Sequence, residues 1–449
     1  GMKKIFLFII LFIATHKMMM AQNVGIGTIT PQARLHVADS SVLFSANGHA
    51  LPSTIGNPPV QGAGRRMMWY PDKVAFRVGA TSGSSWDKDE IGRYSFASGD
   101  DTRASGSFST AMGAGSVASG NYSTAMGAGT VASNIVSTAM GANSNASGYA
   151  STAMGQSTNA TGDYSTAIGL SSDAGGEAST AIGWATTASG NYSTAMGYNT
   201  TAGGDYSTAM GINTLASADY STAMGGGTLA SGAYSTAMGL NTTASGNFST
   251  AIGSNVSTNN HEGAFIIGDH STATVLNSAN TNNFRARFAG GYKLYTSANL
   301  ATGCTLFAGD NAWTTGSSIY TKENFATVKG EDFLQKISRF NLTSWNYKTQ
   351  DPKTFRHYGP MAQDFYAAFG KDEYGTIGND TTINSADFAG VSFIAIQALE
   401  KRTAEQQQYI QKLEKENSKQ TEKLEAVQAL LQQLQKGLEK VKAIQNKNL

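Results

Sequence analysis

The sequence predicts a mainly β chain: a parallel β-roll or β-solenoid of 14-residue coils, then a small α+β segment and a C-terminal coiled coil. Three observations predict it. First, an aromatic-Ser-Thr-Ala-Met/Ile-Gly run closes at Gly113, Gly127, Gly141, Gly155, Gly169, Gly183, Gly197, Gly211, Gly225, Gly239 and Gly253, and a degenerate copy from Tyr94 to Gly99 makes 12 units. A short, fixed period without insertions is the mark of coils that stack. Second, Tyr122, Thr124 and Met126 alternate with Ser123, Ala125 and Gly127, which is the period of a strand. Third, apolar residues near the C-terminus recur at alternating spacings of three and four, which is the period of a coiled coil.

In chain order, Gly1 reads as an added residue ahead of Met2. Lys3 and Lys4, the apolar run Ile5 to Ala14 and the small Ala21 read as a secretory signal peptide over 1–21, with Gln22 as the mature start. That apolar run is too short to span a membrane, and no later segment is long and apolar enough. No transmembrane segment is therefore expected, and attachment is expected to be non-covalent or through another protein. Residues 22–93 contain two stretches that read as short strands among Gly/Pro turns, Asn23 to Thr28 and Arg66 to Tyr70. This opening is similar to that of exported Bacteroidetes-type fibre proteins. Either it caps the first edge of the solenoid, which would otherwise pair with other chains, or it is a receptor-binding tip.

Residues 94–268 form the repeat region. Fourteen residues suit two short strands and two turns, with Gly, Asn and Asp supplying the turn conformations. At about 4.8 Å per coil, 12 coils make a rod of roughly 55–60 Å. The column Met112, Met126, Met140, Met154, Ile168, Ile182, Met196, Met210, Met224, Met238 and Ile252 is expected to form a buried ladder in a narrow core. Burial explains this column without metal or ligand binding. A parallel tyrosine ladder (Tyr122, Tyr164, Tyr192, Tyr206, Tyr220, Tyr234) reads as a packing or corner element, or as a glycan-stacking stripe if it is exposed.

Charge excludes some functions. From Ser107 to Gly253 the chain has only Asp163, Asp173, Glu177, Asp205 and Asp219, with no Lys or Arg, although the whole chain carries +1. Such a rod cannot neutralise phosphates, so no nucleic acid is expected as a partner. It has no repeated carboxylate pair of the kind a glycosidase uses. Thr124 shares its face with Met126, so the flat threonine array of an ice-binding surface is missing. The six histidines have no metal-ligand spacing, and neither a metal nor a cofactor is expected. Cys304 is the only cysteine, which rules out an internal disulfide.

The repeat resembles the head of trimeric autotransporter adhesins, a left-handed parallel β-roll. Ser193-Thr194-Ala195-Met196-Gly197 with Ala202-Gly203 follows that family's Ser-Val-Ala-Ile-Gly core and small-residue corner, with Thr in place of Val. The resemblance covers about 94–268. It implies a homotrimer displayed outside the cell, with a host surface glycan or protein as a possible partner.

After Gly253 the beat slips, since Gly268 comes one residue late, and a β neck is expected over 269–316. Charge then rises. Ser317 to Phe325, followed by His357-Tyr358-Gly359-Pro360-Met361-Ala362-Gln363-Asp364, resembles the intramolecular chaperone domain of endosialidase-type tail fibres. In that family a serine five residues before a lysine cuts the chain at its own N-terminal side. The resemblance implies that Ser317 is the nucleophile, Lys322 the base and His357 a third catalytic residue, with the cut between Gly316 and Ser317. Asn324, Phe325, Gly359, Met361, Ala362 and Gln363 match the flanking runs. The Asp and Arg common after the serine are replaced by Ser318, Ile319 and Tyr320. The domain is expected over 317–395 and the coiled coil over 396–445. The heptad seam runs from Ile396 and Leu399 to Leu438 and Val441, with polar Asn417 and Gln420 inside it able to fix register and strand number.

These readings point to an exported trimeric surface fibre whose C-terminal domain directs trimerisation and cuts itself off once per chain. The alternatives are a receptor-binding tail-fibre protein of a phage-like particle, which the signal peptide argues against, and an uncleaved trimeric glycan-binding stalk. A polysaccharide-degrading fibre would need a carboxylate cluster that is not visible.

Overall fold

The computed structural model describes residues 24–371 and 375–446, so the expected signal peptide lies outside the described residues. The chain divides into two compact units, one ending at Thr314 and the other beginning at Thr315.

The first unit is the solenoid. Each coil from Phe96 to Ala230 has a five-residue strand and a two-residue strand, as in Thr124–Ala128 and Val131–Ala132. Successive coils pair in parallel at a strict 14-residue register: Thr124 with Thr138, Gly127 with Gly141, Val131 with Asn145. The strand pattern therefore has the expected period. Its inside and outside, however, are reversed from the expected methionine core. Ser123, Ala125, Thr130 and Ala132 are fully buried, whereas Met126 is half-buried and Met154, Met196 and Met238 are exposed. The core is a double column of alanines running from Ala97 and Ala104 to Ala244 and Ala251.

The reason is width. Two strands of a 14-residue coil face each other too closely for a methionine, and only Ala, Ser and Thr fill the space in ordinary rotamers. The glycines mark the same tightness. Gly127 has φ of 132°, and a Cβ built on it would overlap the carbonyl oxygen of Gly141 in the next coil. Some buried hydroxyls are paired inside the tube: Ser123 donates to the Gly120 carbonyl at 2.7 Å, and Thr130 donates to Ser116 at 3.0 Å.

At its first edge the solenoid meets an antiparallel hairpin, Gly64–Tyr70 with Ala75–Thr81. The second hairpin strand pairs in parallel with Phe96–Asp100, so Phe76 lies beside Phe96 and Gly79 beside Gly99. This strand holds the ladder position of one more coil, and its partner then reverses direction. The alanine column begins with Arg77, next to Ala97. Arg77 is buried, and its guanidinium donates to the Phe76 carbonyl (2.9 Å), the Ser95 carbonyl (3.1 Å), Ser95 Oγ (2.8 Å) and the Ala104 carbonyl (2.9 Å). Burial pulls its pKa down to about 10. A charged plug thus ends the alanine core where another coil would otherwise add.

At the other end, Gly268 pairs with Gly253 despite the extra residue between them, the core column changes from Ala251 to Ile266, and the next residue in register, Arg285, is exposed. Asp269 ties the following loop down. It accepts from the Ala289 backbone N–H, the Ser271 hydroxyl and Arg287, and these bonds hold its carboxyl at about 2. Near its end the unit has an antiparallel strand pair, Gly291–Tyr295 with Gly303–Phe307.

Among its described residues the second unit has three α-helices: α1 (Gly330–Ile337), α2 (Ala362–Phe369) and α3 (Ser385–Gln445). A strand pair, Thr343–Trp345 with His357–Gly359, lies between α1 and α2 in sequence. Phe365, Phe369 and Val391 form its core, with Phe333, Ile337 and Phe340 packed against them. α1 lies close on α3: a Cβ on Gly330 would come within 2.7 Å of Ala398 Cβ, and Arg402 pairs with Glu331. α3 is one continuous helix whose buried residues are Val391, Ala395 and Ala398. Beyond Arg402 its heptad seam is unpartnered, with Leu424, Leu431 and Leu438 all more than half exposed.

Candidate functional site

Ser317 and Lys322 lie on either side of a single tight turn, Ile319–Thr321. Ser318 caps that turn, its Oγ accepting from the Tyr320 N–H at 3.2 Å, while its carbonyl accepts from the Thr321 N–H at 3.1 Å. The turn folds the chain back so that Lys322 Nζ donates to Ser317 Oγ at 2.7 Å. Serine is among the residues that cap such a turn well.

The pair lies open to solvent. Lysine serves as a base only when burial or nearby charge favours its neutral form. Ser317, Lys322 and Gly316 are all exposed, and a Cβ on Gly316 would meet nothing within 4 Å. Around them Ile319, Tyr320 and Phe325 present apolar side chains that are 68–93% exposed.

His357 does not join the pair. It lies on the strand His357–Gly359 opposite Trp345, stacks on that indole at 4.7 Å, and its Nε2 is 3.1 Å from Gln350 Oε1. No hydrogen bond links it to Ser317 or Lys322 among the described residues. Of the second run, Gly359 ends the strand and Met361 to Gln363 open α2. No cluster of three or more His, Cys, Asp or Glu that could hold a metal ion occurs among the described residues, and no helix there is long and apolar enough to cross a membrane.

The tyrosine column is the other candidate surface. It occupies a left-handed turn position that recurs from coil to coil, with φ from 57° to 60° at Tyr122, Tyr164, Tyr192, Tyr206, Tyr220 and Tyr234. These rings are exposed. Tyr192, Tyr206, Tyr220, Tyr234 and Phe248 stack in one run with centroids 4.7–5.1 Å apart and planes within 9° of parallel. Stacking offsets the cost of an aromatic residue in a left-handed conformation. It also turns the ring faces onto one another, so within a run only edges and hydroxyls reach solvent. A sugar ring stacks on faces, and those are covered there. The sequence reading missed that the column is interrupted: Val136, Ala150 and Ala178 take the same position without a ring, with φ of 59°, 52° and 50°. The signal was present at the 14-residue period but was read only for what recurs.

Comparison with known families agrees with both halves of the architecture. Between residues 91 and 255 the chain matches the model described as the YadA head domain repeat (2 copies) in eight segments, from 91–116 to 230–255. Residues 317–372 match the model described as the chaperone of endosialidase. No curated protein matches the chain at a significant level. The chain thus carries YadA head repeats and an endosialidase chaperone domain, on a β-solenoid followed by a small helical unit.

Proposed function

Starting from the premise that YadA head repeats with a chaperone-of-endosialidase domain fit a trimeric adhesin or tail-fibre-like protein, we propose an exported, homotrimeric surface fibre. Its C-terminal domain brings three chains into register and then removes itself before Ser317. The observation that carries the cut is the 2.7 Å contact between Lys322 Nζ and Ser317 Oγ. The reading of three chains rests on the unpartnered heptad seam of α3 and the outward methionine face of the rod, both apolar and both open in a single chain.

The chemistry balances within the chain. Neutral Lys322 takes the Ser317 hydroxyl proton as Oγ attacks the Gly316 carbonyl carbon. The Gly316–Ser317 amide bond breaks, an ester forms on Oγ, and the proton passes to the freed Ser317 amine. Water then hydrolyses the ester, leaving a Gly316 carboxylate and a new N-terminus at Ser317. A lysine acts as a base in its neutral form, which burial favours, and Lys322 is exposed in one chain. Burial of the apolar rim by neighbouring chains supplies that condition, so the cut follows assembly. In this reading His357 supports the strand pair behind the second motif and takes no proton.

Parallel stacked coils are slow to nucleate, because loop closure precedes any stabilising pairing. A C-terminal trimer raises the local concentration of the three rods. Losing it afterwards leaves a fibre that cannot retrace its path, which makes it kinetically stable. The test is intact mass and light scattering on the purified chain beside Ser317→Ala and Lys322→Ala. A fragment starting at Ser317 in the wild type alone supports the cut. An uncut wild-type trimer makes the protein an uncleaved stalk, and a monomer overturns the fibre.

A further inference from the structure

We propose that the break in the aromatic ladder above Ala178 is a binding slot for a guanidinium group, an arginine side chain of a partner polypeptide. The group would lie between Tyr164 and Tyr192 and pair with Glu177. This goes beyond the reading of the fibre and depends on neither trimerisation nor self-cleavage.

The slot follows from register. Thr166, Thr180 and Thr194 are in-register neighbours, so Tyr164, Ala178 and Tyr192 hold one turn position in three successive coils. Where rings fill that position they stack at 4.7–5.1 Å. Leaving one ring out opens two such steps, roughly 10 Å between rings at the usual strand spacing, with the Ala178 methyl as floor. One flat group fits there at the interval the ladder already uses. Tyr192 stacks on Tyr206 at 5.0 Å but has no ring on its Ala178 side. Tyr164 has no stacked partner among the described residues, and its one ring neighbour, Tyr149, meets it edge-on at 78°. Elsewhere in the run such faces are covered.

Charge selects the occupant. Glu177 is the residue before Ala178, and its carboxylate lies 3.5 Å from the Tyr192 hydroxyl, at the rim of the slot. Asp163 precedes Tyr164 and uses one oxygen on the Tyr149 N–H at 2.8 Å. Neither carboxylate has an ion-pair partner among the described residues, and Ser107 to Gly253 contains no Lys or Arg. The coils from Ser107 to Gly253 of a second copy therefore cannot supply the cation. A guanidinium is planar and weakly hydrated, stacks on aromatic faces and pairs bidentately with a carboxylate. An ammonium is compact and strongly hydrated, and a neutral sugar gains nothing from the unpaired charge.

The full chain is titrated with the capped tripeptide Gly-Arg-Gly, its citrulline and lysine counterparts and a methyl pyranoside, followed by ligand-observed NMR. The arginine peptide should bind once per chain and roughly tenfold or more tighter than the citrulline peptide. Glu177→Gln should weaken it by about the same factor. Ala178→Tyr should abolish binding while continuing the ladder, so its far-UV spectrum and melting temperature stay at or above wild type. Asp219→Asn, beside the filled part of the ladder, should bind as wild type. Equal binding of citrulline, preference for lysine or the sugar, no binding at all, or undiminished binding by Ala178→Tyr would each overturn the proposal.

Discussion

A coil of the rod and a turn of α3 solve the same problem in opposite ways. The coil closes its core within one chain: Ser123 and Ala125 are fully buried, and its strands pair with the coils before and after. Helix α3 satisfies its backbone by itself but leaves Leu424, Leu431 and Leu438 exposed. The coil depends on neighbours 14 residues away for shape, while the helix keeps its shape without burying its leucine seam in this chain. The rod is therefore the part that fails when its backbone is crowded.

Glycine replacement separates the two most sharply. Gly197 has φ of 125°, and a Cβ there would overlap the Gly211 carbonyl oxygen, so neither backbone can move without breaking the ladder. Gly197→Ala should destabilise the rod by about 3 kcal/mol or more, through strain and overpacking. Gly437 lies in α3 with nothing within 4 Å of its would-be Cβ. Gly437→Ala should raise helix stability by up to about 1 kcal/mol. Thermal melts by circular dichroism read both, and equal effects would break the comparison.

A finer contrast lies inside the rod. Where serine and threonine alternate in the hydroxyl column, threonine donates to serine and serine to a glycine carbonyl, as Thr158 to Ser144 at 2.9 Å and Ser144 to Gly155 at 3.0 Å. Along Thr200, Thr214, Thr228 and Thr242 the column is threonine only, and their buried hydroxyls have no partner. The next residue in the column, Val256, is apolar and buried. Thr228→Val should therefore stabilise by about 1 kcal/mol, since it removes an unpaired hydroxyl at constant volume. Thr158→Val should cost about the same by breaking a made bond. Denaturant midpoints moving in the same direction for both would show that pairing inside the tube does not matter.

The sequence held the period, the strand pairs and the helical end openly, because register repeats and heptads are one-dimensional patterns. Which face of the strand points inward was not legible from alternation alone. Met126 and Ala125 alternate equally well, and only the width of a closed coil decides for alanine. Ser317 and Lys322 were legible through motif spacing, and the turn capped by Ser318 gives that spacing its physical cause. His357 was named by motif, and its contacts with Trp345 and Gln350 come from strand pairing that spacing could not reveal.

The smallest expected effect concerns the outer face of the short strands. Asp173 sits in register between Asn159 and Thr187, and burial raises its carboxyl pKa. Between the unfolded value, about 3.9, and that raised value, the folded chain holds more protons than the unfolded one. Stability therefore falls as pH rises through this window and stays lower above it. Asp173→Asn continues the column with the side chain that Asn159 already carries and removes the charge. Its melting temperature at pH 7 should exceed wild type by the equivalent of about 0.5 kcal/mol or less. The two curves should converge as pH falls below the unfolded value, where both side chains are neutral. A difference that stays constant with pH would assign the effect to packing and leave the carboxylate without a role in the rod's stability.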